Sequence, residues 1–515
     1  MGSFQIVYDD FSGGQYMGPK STNLPKNTFS ATGVANNPHG QLMTYGDPLL
    51  AKTVSVANAA QAQIADQWTV YNDLYSFTTW DTPSSWSSFM SKFNVSDGTD
   101  FPSQTVTTTS LAGQLGGKIA FDLASTKFFY VRVDGANDGY IRSVTTSGTD
   151  ASVSTALGGT GITDLASYGY RLVAWGSDIK RLYYSNTDLT TWSTSQYYEF
   201  SGEILNVLPR ANDLLVVCNT GVFSVVGVLG SSVTIQLIVP ASNTPEGMRD
   251  AVIIGRQAFF CDTSLSGRSD GRVYSLQGSF IQPVYTIEQE DAENNTVAKL
   301  TPPMRCFNAA DGQLVVIMDS AAYVRRPDST FVRFQFLSSM FSGYNYQYHV
   351  ARPGPGTQSE YIVFSEIGPN GDTGEWEVNH YRAICNVVDL TNTDEDFFPQ
   401  SSASTEIPDG TATLPEYWHT KEFTVKHAIV EWSGSSNSSL AVRIRSTGII
   451  DTDAYEALFA GVSSTITTTL GPGAVSGIYN TERFHVDNAQ KGMGAKLTLT
   501  MTKCQVKRVI LMCED

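Results

Sequence analysis

The chain has 515 residues, 41% of them hydrophobic and 16% charged, and 33 basic residues stand against 50 acidic ones for a net charge of −17. That balance argues against tight binding to a nucleic-acid backbone, which draws its affinity from clustered lysine and arginine. The length admits a multi-bladed body and at least one further domain. Forty-four glycines and 11% aromatics favour an all-β protein rich in turns.

Residues 1–40 are rich in Gly, Pro and Asn, and carry Asp10-Phe11-Ser12-Gly13-Gly14 and Leu24-Pro25-Lys26-Asn27. Such a stretch forms no core alone and reads as an extended arm across its own domain or a neighbouring subunit. Residues 41–385 read as a β-propeller with insertions. Within 41–110, Trp68-Thr69-Val70-Tyr71 and Tyr75-Ser76-Phe77 are strand-like, and Trp80 and Trp86 flank turns. This part either closes the ring by pairing with a late strand or forms an inserted loop domain. Residues 55–68, SVANAAQAQIADQW, are the one convincing helical candidate.

Residues 161–200 show the repeating unit. Tyr170–Trp175 reads as a strand, Gly176-Ser177-Asp178 as a turn and Arg181–Ser185 as the returning strand. Asn186-Thr187-Asp188 makes a polar turn, and Trp192 anchors the approach to the strand Tyr197–Phe200. Comparable starts fall near Phe128, Arg171, Leu214, Ala258, Leu314 and Tyr361, at steps of 43, 43, 44, 56 and 47 residues. A period of roughly 40–50 residues built from four-stranded modules is what a propeller requires. Leu214–Val217 and Gly221–Gly227 are almost continuously apolar, as suits inner strands packed between adjacent blades.

Residues 386–415 gather Asp389, Asp394, Glu395, Asp396, Glu406 and Asp409 with Pro399, Pro408 and Pro415, and read as an acidic linker. From 416 to 515 the chain alternates in period two through His427–Trp432, Leu440–Arg445, Lys496–Met501 and Val506–Met512. That pattern points to a C-terminal β-sandwich.

Chemistry-bearing motifs are weak. Gly267-Arg268-Ser269-Asp270-Gly271 matches G-x-S-x-G, yet the strand-like Arg272–Leu276 follows where a nucleophile elbow needs a helix, so a hairpin turn is the reading. Ser185–Trp192 resembles a sialidase-type Asp-box with the wrong spacing, and Asp188 with Trp192 reads as a turn clasp. Asp134–Gly139 lacks the spacing and distal Glu of a calcium loop. His39, His349, His380, His419, His427 and His485 form neither HExxH nor HxH, and His419 and His427 read as surface or interface residues. Cys218, Cys261, Cys306, Cys385, Cys504 and Cys513 sit singly, as structural thiols of a reducing cytoplasm do. No phosphate-binding glycine loop appears in strand–helix context. Catalytic, cofactor and metal residues are therefore expected to be none. The opening residues show no basic region followed by an apolar stretch, Ile6 stands where a myristoylation signal wants Ser or Thr, and no run reaches the ~18 apolar residues of a membrane span.

The opening Asp10–Gly14 with Leu24–Asn27, the Arg181–Ser185 segment leading to Trp192, and Glu482-Arg483-Phe484 followed by Lys491–Leu497 together resemble the tail nozzle (tail tubular protein B-like) β-propeller family of short-tailed bacteriophages. The resemblance implies a structural, non-enzymatic virion subunit made in the host cytoplasm. It implies a ring of six below the portal and adaptor proteins, forming a DNA-ejection channel through which DNA passes without specific binding. Tail fibres or spikes would dock on it. The alternatives are a distal hub or receptor-contacting tail protein with glycan-binding aromatics, and a propeller glycosidase, which needs two carboxylates ~5–9 Å apart.

Overall fold

The computed structural model describes residues 2–15, 24, 26–32, 34–36, 41–44, 49–56, 61–70, 73–82, 85–94, 106–135, 138–176, 178–241, 251–261, 272–286, 289–290, 297–298, 305–309, 313–317, 321–325, 331–335, 348–353, 361–369, 373–384, 409–447, 463–469, 479–486 and 491–515. Among the described residues every regular element is a strand, and seven four-stranded sheets hold most of them. No helix there is long and apolar enough to cross a membrane.

One compact unit comprises Leu50–Ser320 and Ser338–Arg382. Sheet one runs through Ala62–Val70, Asp73–Thr82, Ser85–Asn94 and Thr107–Leu111. Sheet two follows with Ala120–Asp122, Lys127–Arg132, Tyr140–Thr145 and Asp150–Ser154. Sheet three takes Asp164–Tyr168, Arg171–Trp175, Arg181–Tyr184 and Tyr197–Glu199. Sheet four takes Ile204–Pro209, Leu214–Cys218, Gly221–Gly227 and Val233–Pro240, and sheet five Ala251–Ile254, Gln257–Cys261, Arg272–Gln277 and Phe280–Thr286. Sheet six opens with Arg305–Ala309 and Gln313–Ile317. Sheet seven joins Tyr348–Pro353, Tyr361–Pro369 and Trp376–Ile384 to the early strand Leu49–Val56.

The first strands of the seven sheets lie side by side in chain order, and that of sheet seven returns to that of sheet one. Between sheets one and two the circle is completed by the Trp68 indole N–H, which donates to the Ile119 carbonyl at 3.0 Å. This is a β-propeller-like fold. The six repeat starts read from the sequence fall on the second strands of sheets two to seven. Of the two alternatives for residues 41–110, closure by pairing with a late strand holds for Leu49–Val56, while Ala62–Val70, Asp73–Thr82, Ser85–Asn94 and Thr107–Leu111 supply sheet one and Leu42–Thr44 joins the ten-stranded sheet of the other unit.

The helix expected over 55–68 is not formed. Leu49–Val56 and Ala62–Val70 are strands, and residues 57–60 lie outside the described residues. Ala62 and Ile64 are both buried two residues apart, in register with Trp80 and Thr78. Cross-strand pairing with period two overrides the modest helix preference of Ala and Gln.

The apolar runs have a direct explanation. All five residues of Leu214–Cys218 are buried. Leu214, Val216 and Cys218 pack with Val173, Trp175 and Leu182 of sheet three. Leu215 and Val217 point the other way, onto Ala251, Phe260 and Tyr274 of sheet five. A strand covered on both faces has no position left for a polar residue.

The other unit comprises Met1–Leu49, Ala321–Leu337 and Ala383–Asp515. Its main element is a ten-stranded sheet. Tyr417–Thr447 and Gly492–Glu514 run antiparallel in two stretches, with a register shift between Gly434 and Ser439. Ala428, Val430, Trp432, Leu440, Val442, Leu497, Leu499, Met501, Val509 and Leu511 alternate into one core. Residues read as an arm contribute strands here: Ser3–Tyr8 pairs with Gly492–Glu514, and Thr28–Thr32 with Asp409–Thr413. The Tyr8 hydroxyl donates to the Pro415 carbonyl at 2.9 Å. Most of the acidic linker, residues 386–408, lies outside the described residues.

Candidate functional site at the first strands and the outer hairpin of sheet four

Two features of the propeller-like unit stand out, one polar at the first strands and one apolar at an outer edge. The polar one starts from Asp66, in the first strand of sheet one, where a register shift between Ile64 and Asp66 re-aims the side chain. Its Oδ1 accepts the Gln67 N–H at 2.8 Å, and its Oδ2 accepts the Ile119 N–H at 3.0 Å and the Trp68 indole N–H at 3.2 Å. Asp164 opens the first strand of sheet three. Its Oδ1 accepts the Lys118 N–H at 2.7 Å and its Oδ2 the Thr163 hydroxyl at 2.5 Å. The Lys118 ammonium donates to Asn206 Oδ1 at 2.7 Å, in the first strand of sheet four, and the same oxygen accepts the Val207 N–H at 2.8 Å.

The approach of Gly116 and Gly117 makes this possible. A Cβ on Gly116 would lie 2.0 Å from the Thr163 carbonyl oxygen, and one on Gly117 would lie 2.3 Å from Asp164 Oδ1. Burial pushes the Asp164 carboxyl above its ordinary value, against the pull of the Lys118 and Thr163 hydrogen bonds and the Lys118 charge. Carboxylates and an amide of sheets one, three and four thus hold the strand entry of sheet two through its backbone N–H groups and its lysine.

The apolar feature is the hairpin Gly221–Gly227 and Val233–Pro240. Val226, Val228, Ile235 and Leu237 are 48%, 67%, 38% and 47% exposed, an unusual concentration of exposed large apolar side chains. No charged residue occurs from 221 to 240. Val233–Pro240 is the last strand of its sheet, so one side of its backbone has no strand partner among the described residues. The last strand of sheet five carries Pro283 in mid-strand, a residue that blocks further pairing. The last strand of sheet four has proline only at its final position, Pro240.

The sequence singled out other positions, which the structure disperses. Asp188 accepts the Thr190 and Thr191 N–H groups at 3.0 and 2.9 Å and the Thr191 hydroxyl at 2.5 Å, while Trp192 is buried in the core between sheets two and three. Asp134 pairs with Arg132 beside the turn into Tyr140–Thr145. The G-x-S-x-G stretch and His39 lie outside the described residues. Cys218, Cys504 and Cys513 are buried thiols outside any disulfide, each pushed up to about 12 by burial. His419 meets the Lys421 backbone through Nδ1 at 3.2 Å and stacks on Phe4 with ring centroids 4.9 Å apart.

Sequence reasoning missed a hydroxyl–imidazole pair in sheet seven. Ser365 Oγ lies 2.7 Å from His380 Nδ1, and the two residues are 1% and 0% exposed. Burial drives the His380 imidazole down to about 3, so it is neutral at physiological pH. A nucleophile–base pair needs access for its substrate, and solvent does not reach this one. The two residues sit on different strands, and no local motif links them.

No family model matches the chain, and no curated protein matches it. Solved structures do show likeness. PorZ, a surface component of the type-IX secretion system of Porphyromonas gingivalis, is 12% identical at a TM-score of 0.39, covering 73% of this chain and 44% of its own. The chain therefore spans less than half the length of that protein. Apo AztD from Citrobacter koseri is 10% identical at 0.36, over 73% of this chain and 95% of its own. XC5397, a gluconolactonase of Xanthomonas campestris, is 8% identical at 0.32, over 64% and 100%. None of the three is described as a phage tail protein, and likeness at this level carries no functional argument.

Proposed function

We propose that this chain is a structural subunit of a bacteriophage tail nozzle, a ring below the portal and adaptor proteins that forms the distal DNA-ejection channel and docks fibres or spikes. The phage assignment rests on the sequence resemblance of Asp10–Gly14, Arg181–Trp192 and Lys491–Leu497. The structural observation that supports an assembly role is the uncharged, exposed hairpin of sheet four, with Ile235 and Leu237 on an open edge. In a chain of net charge −17, copies repel one another except where a surface is uncharged and apolar. In this reading the ten-stranded sheet folds over as a β-sandwich about its register shift, with residues 1–40 as its arm. The acidic balance suits a channel that DNA crosses without adhering.

Native mass measurement of the purified chain tests the proposal, alone and mixed with adaptor proteins. Six copies in a ring, visible as sixfold particles in negative stain, are the expected result. A monomer at every concentration, with or without the adaptor, would overturn it, as would turnover in a glycosidase panel. A second reading, a receptor-contacting tail protein, is favoured by Tyr170, which is 87% exposed at the hairpin tip of sheet three. A glycan array would then show binding that Tyr170→Ala abolishes.

A further inference from the structure

The ten-stranded sheet places two imidazoles side by side, tilted to one another, on the side turned away from its core. His427 in Tyr417–Thr447 is the register partner of His485 in Asn480–His485. Their ring centroids are 5.0 Å apart at an interplanar angle of 52°. On its other side His427 is in register with Met512 of Gly492–Glu514. The next residues along each strand, Ala428, Phe484 and Leu511, turn to the core, so Met512, His427 and His485 make a continuous row across three strands on the opposite face. A register shift between Val425 and His427 sets where this row begins. His485 is exposed, and His427 and Met512 are half-buried, which leaves a path for an ion from solvent.

We propose that His427, His485 and Met512 form a surface copper(I) site. Imidazole nitrogen serves several first-row metals, whereas a thioether selects the soft monovalent ion. Among the described residues no three His, Cys, Asp or Glu side chains converge on a metal position, so a site with a third protein ligand here depends on the methionine. The nearest thiol in sequence, Cys513, is buried on the core side of the same strand and cannot substitute. Arg483, two residues from His485 on the same face, opposes any cation, and it favours one charge over two at this position.

The test uses the full chain under reducing, anaerobic conditions, with copper(I) supplied from a bicinchoninate complex whose colour reports its loss. The expected result is transfer of one copper(I) per chain. His427→Gln and His485→Gln each weaken binding at least tenfold, and Met512→Leu weakens copper(I) about tenfold while leaving zinc(II) binding, followed by calorimetry, unchanged. Thermal melting of each metal-free variant checks that the fold is retained. The proposal is overturned if no copper leaves the chelator, if the double histidine variant binds as the wild type does, or if Met512→Leu leaves copper(I) affinity unchanged. Should a variant fold poorly, X-ray absorption of the copper-loaded wild type decides. Two nitrogen neighbours and one sulfur support the site, and sulfur-only coordination assigns the metal to buried thiols.

Discussion

Sheets three and four are neighbours with the same number of strands, and they end in opposite ways. The last strand of sheet three, Tyr197–Glu199, has three residues, and Arg181 lies over the Tyr197 ring at 4.4 Å from its centroid. Tyr198 stacks on Tyr184 with centroids 5.2 Å apart, and its hydroxyl accepts the Gly230 N–H at 2.9 Å. That edge is short and flanked by charge and aromatic rings. The last strand of sheet four, Val233–Pro240, is eight residues long and apolar, with four consecutive exposed positions. Equal interiors therefore do not dictate equal edges. Natural sheets blunt their edges unless pairing there has a use, so the contrast singles out sheet four as the edge on which the proposed assembly would form.

If the interiors are equivalent, large truncations in the second strand of each sheet should cost similar amounts. Trp175→Ala in sheet three is expected to lose about 3–5 kcal/mol and Leu215→Ala in sheet four about 2–5 kcal/mol, read from urea unfolding. Trp175 is 2% exposed and Leu215 0%. A Leu215→Ala cost below ~1 kcal/mol would show sheet four to be loosely packed throughout and would remove the distinction between its interior and its edge.

A buried imidazole in sheet seven extends the comparison to polar interiors. The folded-state value of His380 is depressed to about 3, so the unfolded chain binds a proton that the folded chain refuses. Stability from this residue is full above the ordinary histidine value near 6.5 and is lost as pH falls from there toward 3. Urea midpoints measured across that range should drop in the wild type and flatten in His380→Gln. A wild-type profile as flat as the variant's would mean that water reaches the Ser365–His380 pair.

Much of the interior was legible in the sequence. Leu214–Cys218 declares a strand covered on both faces because no polar residue interrupts it, and Phe128, Arg171, Leu214 and Ala258 recur at steps of 43, 43 and 44 residues. The helix assigned to 55–68 went astray because Ala and Gln preferences are weak beside the pairing of Ala62–Val70 with Asp73–Thr82, and that pairing is a tertiary fact. Closure by Leu49–Val56 was an open alternative for the same reason, since its partners lie some three hundred residues on. Site residues were less visible. Asp66, Lys118, Asp164 and Asn206 meet only because first strands of separate sheets lie side by side. His427 and His485 meet only through sheet register. Spacing rules detect ligands that share one strand or helix, and none of these do.

A smaller effect concerns the polar interior of sheet four itself. Burial works against ionisation of Asp213, but hydrogen bonds from Arg210 and Ser224 win and hold its carboxyl below the ordinary value. Asp213 accepts from Arg210 Nε at 2.7 Å and from the Ser224 hydroxyl at 2.5 Å. Replacing it with Ala leaves those donors without their acceptor and should cost about 1–3 kcal/mol at neutral pH. Because the folded value is depressed, that contribution is present above the ordinary carboxylate value and disappears as pH falls through the folded one. The wild type and Asp213→Ala should therefore converge in acid; a constant gap at all pH values would assign the loss to packing.

The smallest expected change in stability falls at the edge, and there the comparison is most exposed to failure. Leu237 is 47% exposed and in register with Phe223, so Leu237→Ala should shift unfolding by no more than about 0.5 kcal/mol. Leu237→Glu should be similarly mild for the isolated chain, since the added carboxylate remains in water. Its effect on assembly should be large, because a charge placed in an apolar interface loses its hydration without gaining a counter-ion. Analytical ultracentrifugation of wild type and variant at matched concentration separates the two effects. A variant that melts like the wild type yet fails to associate locates the interface at this hairpin. One that associates normally returns sheet four to the same standing as sheet three, its exposed valines, isoleucine and leucine being then no more than ordinary surface.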